Sequence, residues 1–158
     1  MSLQIHSEKI GTIDEVVNKH KDGRYYQGEY DMYKRICKDC EASSYNWHMW
    51  YDLSLNIPAG TKSDIQIDFL LICEKGAIVV EVKGGNIEIQ SGHYFYNVKG
   101  NLTQLDMNPF KQSEEYKYSL INNKVINSDK LFVENVVAFP HSNLSKTNLH
   151  TQLDLGYR

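Results

Sequence analysis

The chain of 158 residues contains no apolar run near the roughly 20 residues that a membrane-crossing helix needs. Its N-terminal stretch, Met1 to Ile10, also lacks the apolar core of a secretion signal, so the cytosol is the expected location. Proline is scarce, at 3 residues, and no tandem repeat, low-complexity tract or Gly/Ser/Pro linker divides the chain, which excludes a visible internal domain boundary. There is no excess of basic charge: the formal net charge is -3, so a role with nucleic acid has to be argued from local residues. Cysteine is sparse too. Cys37, Cys40 and Cys73 make an odd count in a chain without a secretion signal, which favours free thiols over a disulfide framework. Cys37 and Cys40 have the CxxC spacing of half a zinc site, but no second CxxC or HxxxH pair supplies the other half. A redox-sensing CxxC would need a reactive setting that spacing does not reveal.

What is present is ordinary core-forming material, 41% hydrophobic and 23% charged, enough for one domain with a real core. From Gln27 to about Cys40, apolar residues Tyr30, Tyr33, Ile36, Cys37 and Cys40 recur at steps of three and four, which predicts a helix. Glu29 falls on that same stripe, so a carboxylate is aimed at or beside the core, where it costs free energy unless paired, protonated or bound to a metal. Trp47 to Leu55 reads as a strand, with Tyr51, Leu53 and Leu55 on one face, ended by a turn at Ile57-Pro58-Ala59-Gly60. Ile65–Cys73 and Ala77–Lys83 are nearly continuous apolar runs about a Gly-containing turn, which predicts a hairpin buried on both faces. Ile87–Gln90 and Tyr94–Val98 predict a second hairpin, followed by a loop at Lys99-Gly100-Asn101. Asn108 as N-cap and Pro109 at the first helical position open a helix to about Asn123, with Gln112, Tyr116 and Leu120 on one face. Val133–Phe139, closed by Pro140, is a last buried strand.

Three charges interrupt the apolar hairpin: Asp68, Glu81 and Lys83. Counting outward from the turn places Asp68 across from Glu81 or Lys83, so the three converge at one end of the sheet. One reading is a divalent-metal site. Asp68 and Glu81 are hard oxygen ligands suited to Mg2+ or Mn2+, which retain waters and accept phosphate oxygens, with Lys83 set to orient or help deprotonate water and Glu29 a further ligand. The other reading is a buried structural ion-pair network with no catalytic role. His48, His93, His141 and His150 show no ligand spacing and read as surface or loop residues, as do the scattered Lys99 and Lys146. Tyr25, Tyr26, Tyr94, Tyr96 and Trp50 read chiefly as core or hairpin aromatics.

In this order, Gly28-Glu29, Ile67-Asp68-Phe69-Leu70, Val80-Glu81-Val82-Lys83-Gly84-Gly85, Asn108-Pro109-Phe110-Lys111-Gln112 and Val137-Ala138-Phe139-Pro140 resemble the NERD (nuclease-related) domain. That family lies within the PD-(D/E)xK restriction-endonuclease-like superfamily. The resemblance implies an α/β fold of mixed type, with a mixed sheet in the order α-β-β-β-(β-hairpin)-α-β and flanking helices. It implies a NERD domain over residues 27–140, an N-terminal extension over 1–26, and a tail over 141–158 leading toward a helicase-like or kinase-like domain. The activity implied is Mg2+- or Mn2+-dependent hydrolysis of phosphodiester bonds, in DNA before RNA, by a hydrolase often found as a homodimer. Catalytic roles carry over to Glu29, Asp68, Glu81, Lys83 and Gln112, and metal ligation to Asp68, Glu81, Glu29 and the carbonyl of Val82. Tyr116, four residues after Gln112, resembles the second half of the QxxxY helix element of RecB-like nucleases and would support the site. One departure from the superfamily pattern is that Gln66-Ile67, with no proline, precedes Asp68. The competing expectation is a non-catalytic accessory module that binds nucleic acid or a partner domain.

Overall fold

A computed structural model describes residues 2–6, 27–56 and 64–143. The expected turn at Ile57–Gly60, as well as Tyr25, Tyr26, Lys146 and His150, lies outside them. In chain order the elements are β1 (Leu3–His6), α1 (Gln27–Ala42), β2 (Trp47–Asn56), β3 (Asp64–Cys73), β4 (Gly76–Val82), β5 (Ile87–Gln90), β6 (His93–Val98), β7 (Asn101–Gln104), α2 (Pro109–Asn122) and β8 (Phe132–Ala138). Five strands form one sheet in the order β1-β2-β3-β4-β8. β2, β3 and β4 are antiparallel neighbours, while β1 joins β2 and β8 joins β4 in parallel, so the sheet is mixed and the fold is of the restriction-endonuclease-like α+β kind. Among the described residues no helix is long and apolar enough to cross a membrane.

The two faces of the sheet bury separate cores. On one, α1 sets Ile36 and Cys40 against Met49, Tyr51, Phe69, Leu71, Val80 and Val82. Its other side carries the Arg35–Asp39 and Lys34–Asp31 pairs in water, the amphipathic division expected from its periodicity. On the opposite face, α2 brings Leu120 onto Ile65, Ile67, Leu70, Ala77, Val79 and Val133. The Asn108 side chain caps α2, accepting from the amides of Phe110 at 2.9 Å and Lys111 at 3.4 Å.

Three differences from the sequence reading have physical causes. First, Tyr51 does not share a face with Leu53 and Leu55: it packs in the core under α1, and they pack in the core under α2. Asp52 between them has φ +49, a left-handed backbone that turns the strand over, and on β3 the same exchange falls between Ile67 and Phe69, on either side of Asp68. Second, Asn101 starts a strand instead of closing a loop: β7 pairs with β6, making a three-stranded sheet β5-β6-β7. All four residues of β7 are exposed, so no alternation of burial marks it in the sequence. Third, Leu3–His6, within the expected N-terminal extension, is an edge strand of the main sheet. The small sheet is anchored by the ring cluster of Tyr94, Phe110 and Phe139, which ties it to the first turn of α2 and the exit of β8.

Candidate active site

The registry of the main sheet builds the site. Phe69 pairs with Val80, so the next position sets Asp68 opposite Glu81, one of the two registers open from the sequence. Tyr51 with Phe69 and Leu53 with Ile67 bracket Asp52 against Asp68. Asp52, Asp68 and Glu81 thus lie in one row across β2, β3 and β4, at the point where the faces of β2 and β3 exchange. The end of that row is fixed to β8 by the Lys83 amide, which donates to the Ala138 carbonyl at 2.9 Å.

Within the row each group has a partner that constrains it. Asp68 Oδ2 accepts from the Val82 amide at 2.7 Å, holding the carboxylate across the β3–β4 seam. Glu81, only 3% exposed, receives the Lys83 ammonium on Oε1 at 2.6 Å. Glu29 enters from the first turn of α1, and its Oε2 is buried without a hydrogen-bond partner among the described residues. The helix reaches this far in because Gly28 lies against Gly84: a Cβ on Gly28 would meet Gly84 Cα at 2.6 Å, closer than real side chains allow. Glycine at 28 is what lets α1 touch the turn after Lys83.

Crowding of carboxylates in a dry place shows in their protonation. Burial, then the nearby Asp68 charge, raises the Glu29 carboxyl to about 7. Asp68 rises well above the usual carboxylate range through burial and then the charge of Glu81, partly offset by the Val82 amide. Glu81 also rises, through burial, despite its bond to Lys83. Burial alone would lower Lys83, but Glu81 first, with smaller contributions from the Tyr96 and Asp68 charges, more than offsets it, and the ammonium ends above its ordinary value. Lys83 is therefore a standing cation at neutral pH and not a base, which narrows its expected role to orienting water and offsetting charge.

The residues read from the sequence are thus divided. Glu29, Asp68, Glu81 and Lys83 sense one another's charges and form one site, with Val82 in the same strand end. Gln112 Nε2 donates to Tyr116 Oη at 2.8 Å, as their spacing implies, but among the described residues no hydrogen bond joins that pair to the carboxylates. Asp52 is the site residue that sequence reasoning passed over. Its charge acts on both Asp68 and Glu29, and its only signal was a polar residue at mid-strand. His48 lies half-buried in β2, the strand expected there, where it meets His6 at 2.9 Å and stacks near Trp50. The cysteines are free; burial pushes Cys37 up and Cys40 to about 11, the reverse of what a redox-sensing thiolate requires.

Among the described residues no three His, Cys, Asp or Glu side chains converge into a ready metal-holding group. The donors nevertheless suit a hard divalent cation: all are oxygens, and among the described residues the buried Oε2 of Glu29 has no hydrogen-bond partner. A family model described as the nuclease-related domain, NERD, matches residues 24–140. No curated protein and no solved structure matches the chain.

Proposed function

Since the chain belongs to the nuclease-related domain family, we propose that it is a metal-dependent nuclease domain that hydrolyses phosphodiester bonds, in DNA first and RNA second. The observation that carries this reading is the row of Asp68 and Glu81 beside the Lys83 cation, faced by the partnerless Glu29 oxygen. Such a set is unstable alone and is relieved by Mg2+ or Mn2+. Glu29, Asp68, Glu81 and the Val82 carbonyl would hold the ion, which supplies Lewis acidity toward a water and a phosphate oxygen. The chain's own groups do the rest. Glu29, on the first turn of α1, completes the oxygen set toward that ion, directly or through a water. The Lys83 ammonium orients that water and offsets charge building on the phosphate oxygens as the P–O bond opens. Gln112, held by Tyr116 near the start of α2, positions the nucleic acid from outside the carboxylate row.

The reading extends to a cytosolic setting, in which three free thiols are at ease, and to a helicase-like or kinase-like partner domain in a longer chain or a homodimer. A non-catalytic nucleic-acid-binding module is the second reading, favoured by the short Lys83–Glu81 pair and the lack of a ready metal-holding group among the described residues. End-labelled single- and double-stranded DNA and RNA decide between them. Cleavage with Mn2+ or Mg2+, lost in EDTA and in Asp68→Asn, supports the nuclease. Equal cleavage by wild type and Lys83→Ala would sink it.

A further inference from the structure

The contact that brings Glu29 into the site is a glycine backbone on a glycine backbone, Gly28 against Gly84. Side chains from Met32 onward pack α1 on the sheet, but at Gly28 itself two bare backbones, with only the Pro140 ring beside them, resist further approach and do little against local separation or sliding. The structure supplies the missing restraint just beyond β8. His141 Nε2 lies 2.7 Å from Asp31 Oδ2, on the same turn of α1 as Glu29, and His141 Nδ1 lies 3.3 Å from the Gly85 amide. A backbone N–H can only donate, so Nδ1 is the acceptor, Nε2 carries the proton, and one neutral tautomer serves both bonds. The adjacent Ser142 grips the same turn: its Oγ donates to the Gly85 carbonyl at 3.1 Å and accepts from the Ile87 amide at 2.8 Å. One short segment after Pro140 thereby ties the helix bearing Glu29 to the turn that follows Lys83.

We propose that His141 is a positioning residue, a clamp that fixes the first turn of α1 against the end of β4 and so sets Glu29 relative to Glu81 and Lys83. Its catalytic consequence rests on the hydrolytic reading above; the clamp itself does not. His141 lies just past the 24–140 match to the family model, while its partners Asp31 and Gly85 lie within it.

Substitutions separate a bridge from simple packing. In His141→Asn the amide oxygen keeps the Gly85 arm; in His141→Gln the longer amide keeps the Asp31 arm. A bridge fails when either arm goes, so His141→Ala, His141→Asn and His141→Gln should each lower kcat by about tenfold with KM within about twofold. Asp31→Ala should match them, and Asp31→Asn, whose oxygen still accepts from His141, should recover most of the loss. Amide hydrogen exchange in the intact chain should rise at Gly85 and at residues 31–34, whose amides donate to the first carbonyls of α1, in His141→Ala. Full activity with either arm alone, or exchange unchanged in His141→Ala, overturns the clamp. A wild type that cleaves nothing refutes the nuclease reading separately, and exchange alone then decides the clamp.

Discussion

Glu29 and Lys83 face opposite electrostatic conditions in the same site, and each makes a pH-dependent prediction. A carboxyl raised to about 7 binds its proton more tightly in the folded chain than in the unfolded one. Its contribution to stability is therefore full below about pH 4.5 and lost as pH rises through about 7. Glu29→Gln should accordingly match wild type in thermal stability near pH 5 and exceed it near pH 8, by roughly 3 °C for each kcal/mol relieved. A scan of melting temperature against pH for both proteins, without divalent metal, checks this; parallel curves would count against it. Lys83→Ala has the reverse sign. It leaves Glu81 buried without its cation, at a cost of about 3 kcal/mol near pH 8 that shrinks as Glu81 takes up a proton in acid. The variant should still fold, and urea titrations at the two pH values measure the difference.

At the scale of elements, the site exists because α1 and the end of β4 meet through glycine. Gly28→Ala gains about 1 kcal/mol of helix propensity. It also drives a methyl group into the Gly84 backbone, which cannot yield as a side-chain tip could. The expected balance is a loss of about 1–3 kcal/mol with activity falling further than stability, because Glu29 is carried outward. Melting curves beside cleavage rates test it, and unchanged rates would mean that Glu29 is not needed. The sequence made α1, the β3–β4 hairpin, α2 and β8 legible because each has a buried stripe at its own period. It left open whether Asp68 faces Glu81 or Lys83, since a two-residue shift of register keeps every side chain on its own face and is settled only by the turn geometry at Glu74-Lys75 and by Gly76 pairing with Cys73. β7 was hidden by its full exposure, and the turnover at Asp52 by its backbone angle, which side-chain patterning does not encode. His141 was passed over because its partners, Asp31 and Gly85, are separated from it by 110 and 56 positions in the chain.

For the whole molecule, β8 is an edge of the main sheet, and its outer side exposes Phe132 (70%) and Val136 (44%) with Glu134 between them. A charge in the middle of an apolar edge discourages strand-to-strand pairing between copies. Glu134→Val, which removes that charge and its 3.8 Å approach to Lys117, should increase self-association in light scattering; no change would mean the edge is protected otherwise. A net charge of -3 bears on the candidate site as well: the chain has little cationic surplus to attract a polyanion, so on the proposed nuclease reading a metal would supply the positive charge where a phosphate lands. The most direct measurement is therefore calorimetric titration of Mn2+ at pH 8 into wild type and an Asp68→Asn/Glu81→Gln variant, run with and without an uncleavable phosphorothioate oligonucleotide. We expect one saturable site in wild type and none in the variant. Identical heats from both proteins under both conditions would contradict a metal site in the carboxylate row and, with it, the nuclease mechanism.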